Sequence, residues 1–326
     1  MSLLQFRRCG CVFPPTIGGR LLRCVGETWR AFCDARQTHT TEKANRDMAK
    51  NTDLDDFRVP FFDGGKKLKP FDLSSVDPSA KPFSTGTKDG DRARLAEIGA
   101  QLDDLQERLH AQRHQRVLLV LQGMDTSGKD GTVRAVFHDV DPLGLRIVPF
   151  RAPSEREAAH DFLWRVHAQA PMAGEFAIFN RSHYEDVLVP RVLKQIDADE
   201  CERRYRHIRD FEALMADTGT TIVKCFLHIS KDEQRERLQA RIDDPTKHWK
   251  FDVSDLDARK LWDHYQHAYA VALGATSTDY APWYVIPGNS KTHRNVMVAE
   301  LLLRTMQGMK LEFPPAKESL KGIKVE

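Results

Sequence analysis

The segment Val117-Leu-Leu-Val-Leu-Gln-Gly-Met-Asp-Thr-Ser-Gly-Lys129 joins an apolar run to a glycine-rich turn. The apolar run is typical of a strand that is buried in a parallel sheet. Gly123, Gly128 and Lys129 stand at the G-x-x-x-x-G-K spacing of a Walker A phosphate-binding loop. Glycines let backbone N–H groups point at phosphate oxygens, and a helix that begins near Lys129 directs its positive end at the same place. The segment therefore predicts a phosphate site between a strand and a helix.

The residue after Lys129 departs from the usual pattern of such loops. Asp130 stands where a Ser or Thr would normally hold Mg²⁺. We therefore expect the metal to be bound elsewhere. Asp125, inside the loop, is the candidate, because a carboxylate that faces phosphates needs a cation. The alternative is a glycine-rich turn between strand and helix that binds nothing.

Strands alternate with helices from this segment onward. Further strands are predicted at 145–150, 176–179, 220–229 and 283–286. Helices are predicted at 92–112, 154–169, 183–194, 199–217, 230–242, 257–273 and 291–308. This alternation indicates a parallel sheet that is covered by helices on both faces.

A polar cluster follows directly after the strand at 176–179. It contains Asn180, Arg181 and Glu185. In open α/β sheets the ligand binds at the carboxyl ends of the strands, so we expect these side chains beside the phosphate loop. Arg181 is suited to clamp phosphoryl oxygens. The alternative is a solvated helix start, at which Ser182 caps the helix and Glu185 completes a capping box.

A basic helix and a polar loop separate the fourth strand from the fifth. Arg237 and Arg241 are four residues apart and share a helix face, and Lys247 and Lys250 follow them. P-loop kinases place a lid at this point, which excludes water and brings cations to the transferred group. We expect a lid at about 232–262. The alternative is a solvated surface helix with Glu/Arg pairs.

The overall charge excludes a histone-like binder of polyanions. The 326 residues carry a formal net charge of +2, so any anion site must be built locally. No run approaches the roughly 20 apolar residues that span a bilayer. Four of the six cysteines lie in the first 33 residues, which leaves two thiols and no disulfide framework in the body. We expect a cytoplasmic protein that has neither a membrane nor a nucleic acid as partner.

The first 47 residues differ from the rest of the chain. They are rich in Arg and Cys and poor in periodic apolar spacing, and Met48 opens a more ordinary sequence. We expect 1–47 to be disordered or not made. The remaining divisions are an irregular arm at 48–90, held down by its phenylalanines, a phosphotransferase domain at 91–315 and a tail at 316–326.

Six motifs occur together in a fixed order. They are Leu119-Val-Leu-Gln-Gly-Met-Asp-Thr-Ser-Gly-Lys-Asp-Gly131, Phe150-Arg-Ala-Pro-Ser154, Phe179-Asn-Arg-Ser-His-Tyr-Glu-Asp-Val187, Lys247-His-Trp-Lys250, Trp283-Tyr-Val-Ile-Pro287 and Lys291-x-x-Arg294-Asn295. In these motifs the chain resembles the family-2 polyphosphate kinases from about Phe57 to Pro315. The resemblance implies a three-layer α/β/α P-loop kinase fold with a parallel five-stranded sheet and a helical lid.

The resemblance also implies roles for individual residues. Asp125 is expected to bind the metal, and Asp125, Lys129 and Arg181 are expected to be catalytic. The expected phosphate and polyphosphate ligands are Gly123, Gly128, Arg237, Lys247 and Lys250. Because polyphosphate is a dense polyanion and the net charge is only +2, we also expect a local basic channel lined by Arg134, Arg151, Lys291 and Arg294. Asn180 and Glu185 are similar to the nucleotide-site residues of the subgroup that accepts AMP as well as ADP.

The expected activity is reversible, Mg²⁺-dependent transfer of a phosphoryl group between inorganic polyphosphate and adenine, possibly guanine, nucleotides. The family resemblance implies a homodimer or homotetramer. One alternative is a P-loop nucleoside monophosphate kinase that uses ATP as donor, and another is a polyphosphate-binding protein without turnover. A GTPase is not favoured, because the Asn-Lys-x-Asp guanine motif does not occur in the sequence.

Overall fold

The computed structural model describes residues 53–65, 68–316, 318, 320 and 322–325. From Asp53 onward they form one compact unit. The segment 1–47, expected to be disordered or not made, and Met48 lie outside the described residues. None of the described helices is both long enough and apolar enough to span a membrane.

Five parallel strands form a single sheet, as the sequence predicts. They are β1 (Arg116–Gln122), β2 (Leu145–Pro149), β3 (Phe176–Asn180), β4 (Thr220–His228) and β5 (Trp283–Pro287). Their order across the sheet is β2-β3-β1-β4-β5. β1 therefore lies in the centre, with Leu121 paired to Asn180 on one side and to Cys225 on the other. This order brings the turn after β1 next to the residues that follow β3.

The helices differ from the sequence prediction mainly in their ends. They are α1 (Lys88–Gln112), α2 (Lys129–Val136), α3 (Glu155–Ala158), α4 (Trp164–His167), α5 (Glu185–Val192), α6 (Ala198–Asp217), α7 (Lys231–Asp243), α8 (Ser254–Lys260), α9 (Trp262–Thr276) and α10 (Lys291–Gly308). The single helix predicted at 154–169 is wrong, because Ser154 and Glu157 form the expected capping box but α3 ends after one turn. A 3₁₀ helix, Pro245–Lys250, lies between α7 and α8.

The burial of the central strand β1 on both faces explains why its sequence is continuously apolar. Val117 to Leu121 are all fully buried. Leu118 and Val120 contribute to the core on one face of the sheet, and Val117, Leu119 and Leu121 contribute to the core on the other. Truncation of such a leucine to alanine costs about 2–5 kcal/mol. The sheet is thus covered on both faces, which confirms the three-layer α/β/α fold.

The arm before α1 is held by backbone hydrogen bonds and by aromatic packing. The N–H of Val59 donates to Trp283 at 2.9 Å, and the N–H of Phe71 donates to Ala270 at 2.8 Å. Phe57 packs against both cores, as expected for an arm that aromatic side chains attach. Thr87 caps α1, which therefore begins at Lys88 rather than at residue 92.

Candidate active site

The turn after β1 needs a backbone that only glycine adopts easily at two places. Gly123 has φ 153° and Gly128 has φ 101°. A Cβ at Gly128 would stand 2.0 Å from Nη1 of Arg294, and one at Gly123 would stand 2.8 Å from the carbonyl oxygen of Leu227. Gly128 is also the N-cap of α2, so the first N–H groups of that helix face the turn. The geometry is that of a phosphate-binding loop.

Lys129 is held inside this loop. Its ammonium donates to the carbonyl oxygen of Gly123 at 2.7 Å and to that of Met124 at 3.3 Å. Burial, together with the positive charge of Arg181, lowers the pKa of Lys129 to about 8. The lysine therefore spans the loop from within, where a bound phosphate would stabilise its charge.

Two loop hydroxyls stand ready for a ligand. The hydroxyl oxygens of Thr126 and Ser127 are buried and have no hydrogen-bond partner among the described residues. An unpaired buried hydroxyl is unfavourable by about 1–3 kcal/mol. Phosphate oxygens in the loop are acceptors that would satisfy both groups.

Carboxylates and a guanidinium meet at the mouth of the loop. Nη2 of Arg181 lies 2.7 Å from Oδ1 of Asp125, which joins the turn after β1 to the end of β3. Burial raises the pKa of the nearby Glu185, although the charges of Arg181 and Lys129 oppose this shift. These side chains line a cavity of about 70 Å³. The other lining residues are Gly123, Met124, Val189, Ala258, Tyr265 and Tyr269.

The capping-box alternative for this segment is wrong. α5 begins at Glu185 with Tyr184 as its N-cap, and no side chain caps it. Glu185 instead faces the cavity. Its position is therefore available for ligand binding.

Asn180 connects the end of β3 to the start of α2. Its side-chain amide donates to Oδ1 of Asp130 at 2.8 Å. Nζ of Lys250 lies 3.8 Å from the other oxygen of Asp130. Lys250 belongs to the 3₁₀ helix that follows α7, so the proposed lid reaches the phosphate loop through this carboxylate.

Two of the expected phosphate ligands bind the loop backbone in this structure. Nη1 of Arg237 donates to the carbonyl oxygens of Thr126 and Ser127, each at 2.9 Å, and Nη1 of Arg294 donates to that of Ser127 at 3.0 Å. Burial and the neighbouring charge of Arg237 lower the pKa of Arg294 to about 9. Both guanidinium groups shape the loop through its carbonyls and bring positive charge beneath it.

The remaining expected cations are exposed. Arg134 on α2, Arg151 after β2, Lys247 and Lys291 all face solvent. Lys247 pairs with Asp244 at 2.6 Å. Although Lys291 is exposed, partial desolvation together with the charges of Arg237 and Arg294 lowers its pKa, which indicates that it lies near these two arginines. Arg134 and Arg151 make no side-chain hydrogen bond or ion pair with the rest of the described chain.

Sequence reasoning missed the aromatic wall of the cavity. Tyr265 and Tyr269 lie on α9, where their spacing of four is that of an ordinary core helix. It also missed Gln122, whose side chain contacts Ser182 at 3.1 Å beneath the site. A polar residue at the end of an otherwise apolar strand was the available signal for Gln122.

A central strand, a phosphate loop with a buried lysine and an arginine from the next strand define a P-loop phosphotransferase. The comparison with known families is specific. Residues 85–314 match the polyphosphate kinase 2 (PPK2) family. The chain belongs to this family, which confirms the resemblance read from its motifs, and it is a transferase of phosphoryl groups between polyphosphate and nucleotides.

The matches to individual relatives extend over most of the length of those proteins. A protein of Meiothermus ruber, named AMP/ADP-polyphosphate phosphotransferase, is 50% identical over 78% of this chain and 96% of its own. One of Rhodopseudomonas palustris, named ADP-polyphosphate phosphotransferase, is 42% identical over 66% of this chain and 78% of its own. The crystal structure of polyphosphate kinase 2 from Arthrobacter aurescens TC1 is 47% identical, with a TM-score of 0.76 over 81% of this chain and 92% of that one.

Proposed function

We propose that this protein phosphorylates both AMP and ADP from inorganic polyphosphate, reversibly and with Mg²⁺. The observation that carries the acceptor assignment is the hydrogen bond from the amide of Asn180 to Asp130. This neutral donor lies at the carboxyl end of β3, beside the loop, where a second carboxylate would repel the phosphate of an acceptor. The 50% identical relative whose name includes AMP supports the same assignment.

The chemistry needs positioning and charge neutralisation more than a protein nucleophile. Oxygens of the phosphate chain would bind to four groups of the loop: the ammonium of Lys129, the hydroxyls of Thr126 and Ser127, and the N-terminus of α2. Arg181 would neutralise charge on the transferred group, and its contact with Asp125 would orient its guanidinium. Tyr265 and Tyr269 form part of the cavity wall.

The donor set fits Mg²⁺ rather than a metal that needs a complete protein cage. The described residues contain no group of three or more His, Cys, Asp or Glu side chains that would hold a metal by themselves. Asp125 presents one carboxylate to the cavity, and Mg²⁺ commonly binds one or two carboxylates together with phosphate oxygens and water. When bound, the ion supplies further charge neutralisation to the phosphates.

The assay uses purified protein, Mg²⁺ and polyphosphate with either ADP or AMP, and it measures ATP and ADP formation. Transfer from ATP to AMP without any transfer from polyphosphate would contradict the proposal in favour of an ATP-dependent monophosphate kinase. The family match already disfavours that alternative. Lys129→Ala tests the binding-only alternative, because a protein without turnover has no activity for this substitution to remove.

Other assignments rest on family membership and on the charge of polyphosphate. We propose that Arg134, Arg151, Lys291 and Arg294 line a basic channel and that Lys247 binds phosphate from the lid. We further propose the lid at about 232–262 and a catalytic domain at 91–315. We also propose assembly as a homodimer or homotetramer and a cytoplasmic location. Light scattering coupled to gel filtration would measure the mass of the assembly.

A further inference from the structure

A buried ion pair lies beneath the active site. Lys224 on β4 and Glu212 on α6 are both fully buried, and Nζ of the lysine lies 2.6 Å from Oε2 of the glutamate. Nζ of Lys224 also donates to the carbonyl oxygen of Thr276 at 2.7 Å. Burial lowers the pKa of Lys224 to about 8, and the charge of Lys224 lowers that of Glu212 in spite of its burial.

The pair is bonded to the segment that carries two of the site residues. The hydroxyl of Tyr184 accepts from Nζ of Lys224 at 2.9 Å and donates to Oε1 of Glu212 at 2.9 Å. Nε2 of His183 lies 3.2 Å from the same oxygen of Glu212. His183 and Tyr184 stand between Arg181 and Glu185, and both are fully buried.

The backbone of this segment needs such an anchor. Arg181 adopts a left-handed conformation with φ 62°, which a residue with a Cβ rarely adopts. Conformations of this kind are unfavourable by about 1–3 kcal/mol and persist only where the surroundings enforce them. The N–H of Arg181 donates to Leu121 at 3.1 Å, which fixes one side of the residue. The other side is followed by the residues that the buried pair binds.

Stability does not explain why the pair is there. A buried ion pair loses about as much in desolvation as it gains in attraction, and apolar replacements are often neutral or stabilising. Apolar partners are available, because Nζ of Lys224 lies 5.2 Å from the centroid of the Trp283 ring, and Phe211 and Met215 belong to the same core as Trp283. An apolar cluster would not supply directed hydrogen bonds to the hydroxyl of Tyr184 and the imidazole of His183.

We propose that Lys224 and Glu212 are positioning residues, which act through Tyr184 to hold Arg181 in its strained conformation at the mouth of the phosphate loop. This inference rests on the proposed function only in taking phosphoryl transfer as its measure. None of the network members lines the cavity, and all four side chains are fully buried, so we expect them to act through Arg181 rather than on a ligand.

The test is Tyr184→Phe, which removes one hydroxyl and leaves the ring in place. Tyr205→Phe is the matched control, because Tyr205 is equally buried in the same core on α6 but lies outside the network. We expect kcat to fall about 10- to 100-fold in Tyr184→Phe, since a misplacement near 1 Å costs that much. We expect the KM for polyphosphate to change less than threefold, and Tyr205→Phe to keep the parent kcat.

A double-mutant cycle identifies the residue through which the hydroxyl acts. In an Arg181→Lys background, Tyr184→Phe should lower kcat less than twofold, because the arginine that it positions is no longer there. Equal losses in both backgrounds would overturn the inference, and so would a folded Tyr184→Phe protein with the parent kcat.

A second variant keeps the test open if Tyr184→Phe does not fold. Lys224→Met combined with Glu212→Leu removes both charges together, and it should fold with the same loss of kcat. A folded double variant with full kcat would contradict the inference. A parent protein without transfer from polyphosphate would contradict the proposed function itself and this inference with it, whereas an active parent with unaffected variants contradicts this inference alone.

Discussion

Asn180→Asp tests the acceptor assignment most directly. The substitution puts a second carboxylate at the position from which the amide of Asn180 now reaches Asp130 at 2.8 Å. Asp130 is largely exposed, so the screening of water applies to this pair. At that separation two unit charges repel by about 1.5 kcal/mol in water, which is about tenfold in an equilibrium constant. A carboxylate that meets an acceptor phosphate at a similar separation repels it by a similar energy. Lys250, 3.8 Å from Asp130, offsets part of that energy, and we expect the use of AMP to weaken about three- to tenfold.

The loss should fall mainly on AMP. The single phosphate of AMP must be held at the acceptor position and also attack the donor, so it meets the new charge at close range. ADP has another phosphate through which other cations still hold it. The assay compares kcat/KM for AMP and for ADP, with polyphosphate and Mg²⁺ held constant, and the expected result is a three- to tenfold fall in the AMP-to-ADP ratio.

A reciprocal variant separates charge from shape. Asn180→Asp combined with Asp130→Asn keeps one carboxylate and one amide but leaves the carboxylate at position 180, so the AMP-to-ADP ratio should stay low, because the charge that AMP meets is still there. A ratio that does not change in Asn180→Asp refutes the reasoning. A ratio that falls equally in Asn180→Ala shows that the lost donor, rather than the added charge, is responsible.

Three further predictions concern the phosphate loop. Because burial lowers the pKa of Lys129 to about 8, its charge is lost as the pH rises through that value, so polyphosphate affinity measured by calorimetry should weaken above pH 8. Lys129→Arg stays charged, so its affinity should not change over the same pH range. A parent protein whose affinity is also constant over that range would contradict this prediction. Gly128→Ala should lower kcat/KM more than 100-fold, since the new Cβ would stand 2.0 Å from Arg294. Steady-state rates equal to those of the parent would contradict this prediction. Asp125→Asn should raise the Mg²⁺ concentration for half-maximal rate at least tenfold in a metal titration, and an unchanged requirement would place the metal elsewhere.

The sequence was sufficient to predict the elements whose structural role follows directly from their local residue pattern. The apolar run of β1, the glycine spacing of the loop and the polar end of β3 each predicted their place, because parallel strands must bring their carboxyl ends together. The helix predicted at 154–169 failed for a local reason, since α3 and α4 are separate single turns. A capping box marks where a helix begins and says little about its length.

The partners of buried charges were beyond sequence reasoning. Arg237 and Arg294 were expected to face phosphate, yet they donate to carbonyl oxygens of the loop, and only the three-dimensional course of the backbone reveals those acceptors. Lys224 offered a usable signal, because a lysine within the apolar strand β4 requires a buried partner. The identity of that partner, Glu212, depends on how α6 packs against the sheet.

The bonds of Arg237 also have a mechanical consequence. Besides the phosphate loop, its guanidinium holds the carbonyl oxygens of Gly288 and Asn289 after β5, at 2.7 and 3.1 Å. Through Arg237, α7 is therefore hydrogen-bonded to two loops, the phosphate loop after β1 and the loop after β5. A movement of the proposed lid that keeps these bonds would begin beyond Arg237, so that Lys250 would move while the phosphate loop keeps its shape. The protein would thus open and close over a cradle that does not itself have to refold in each cycle.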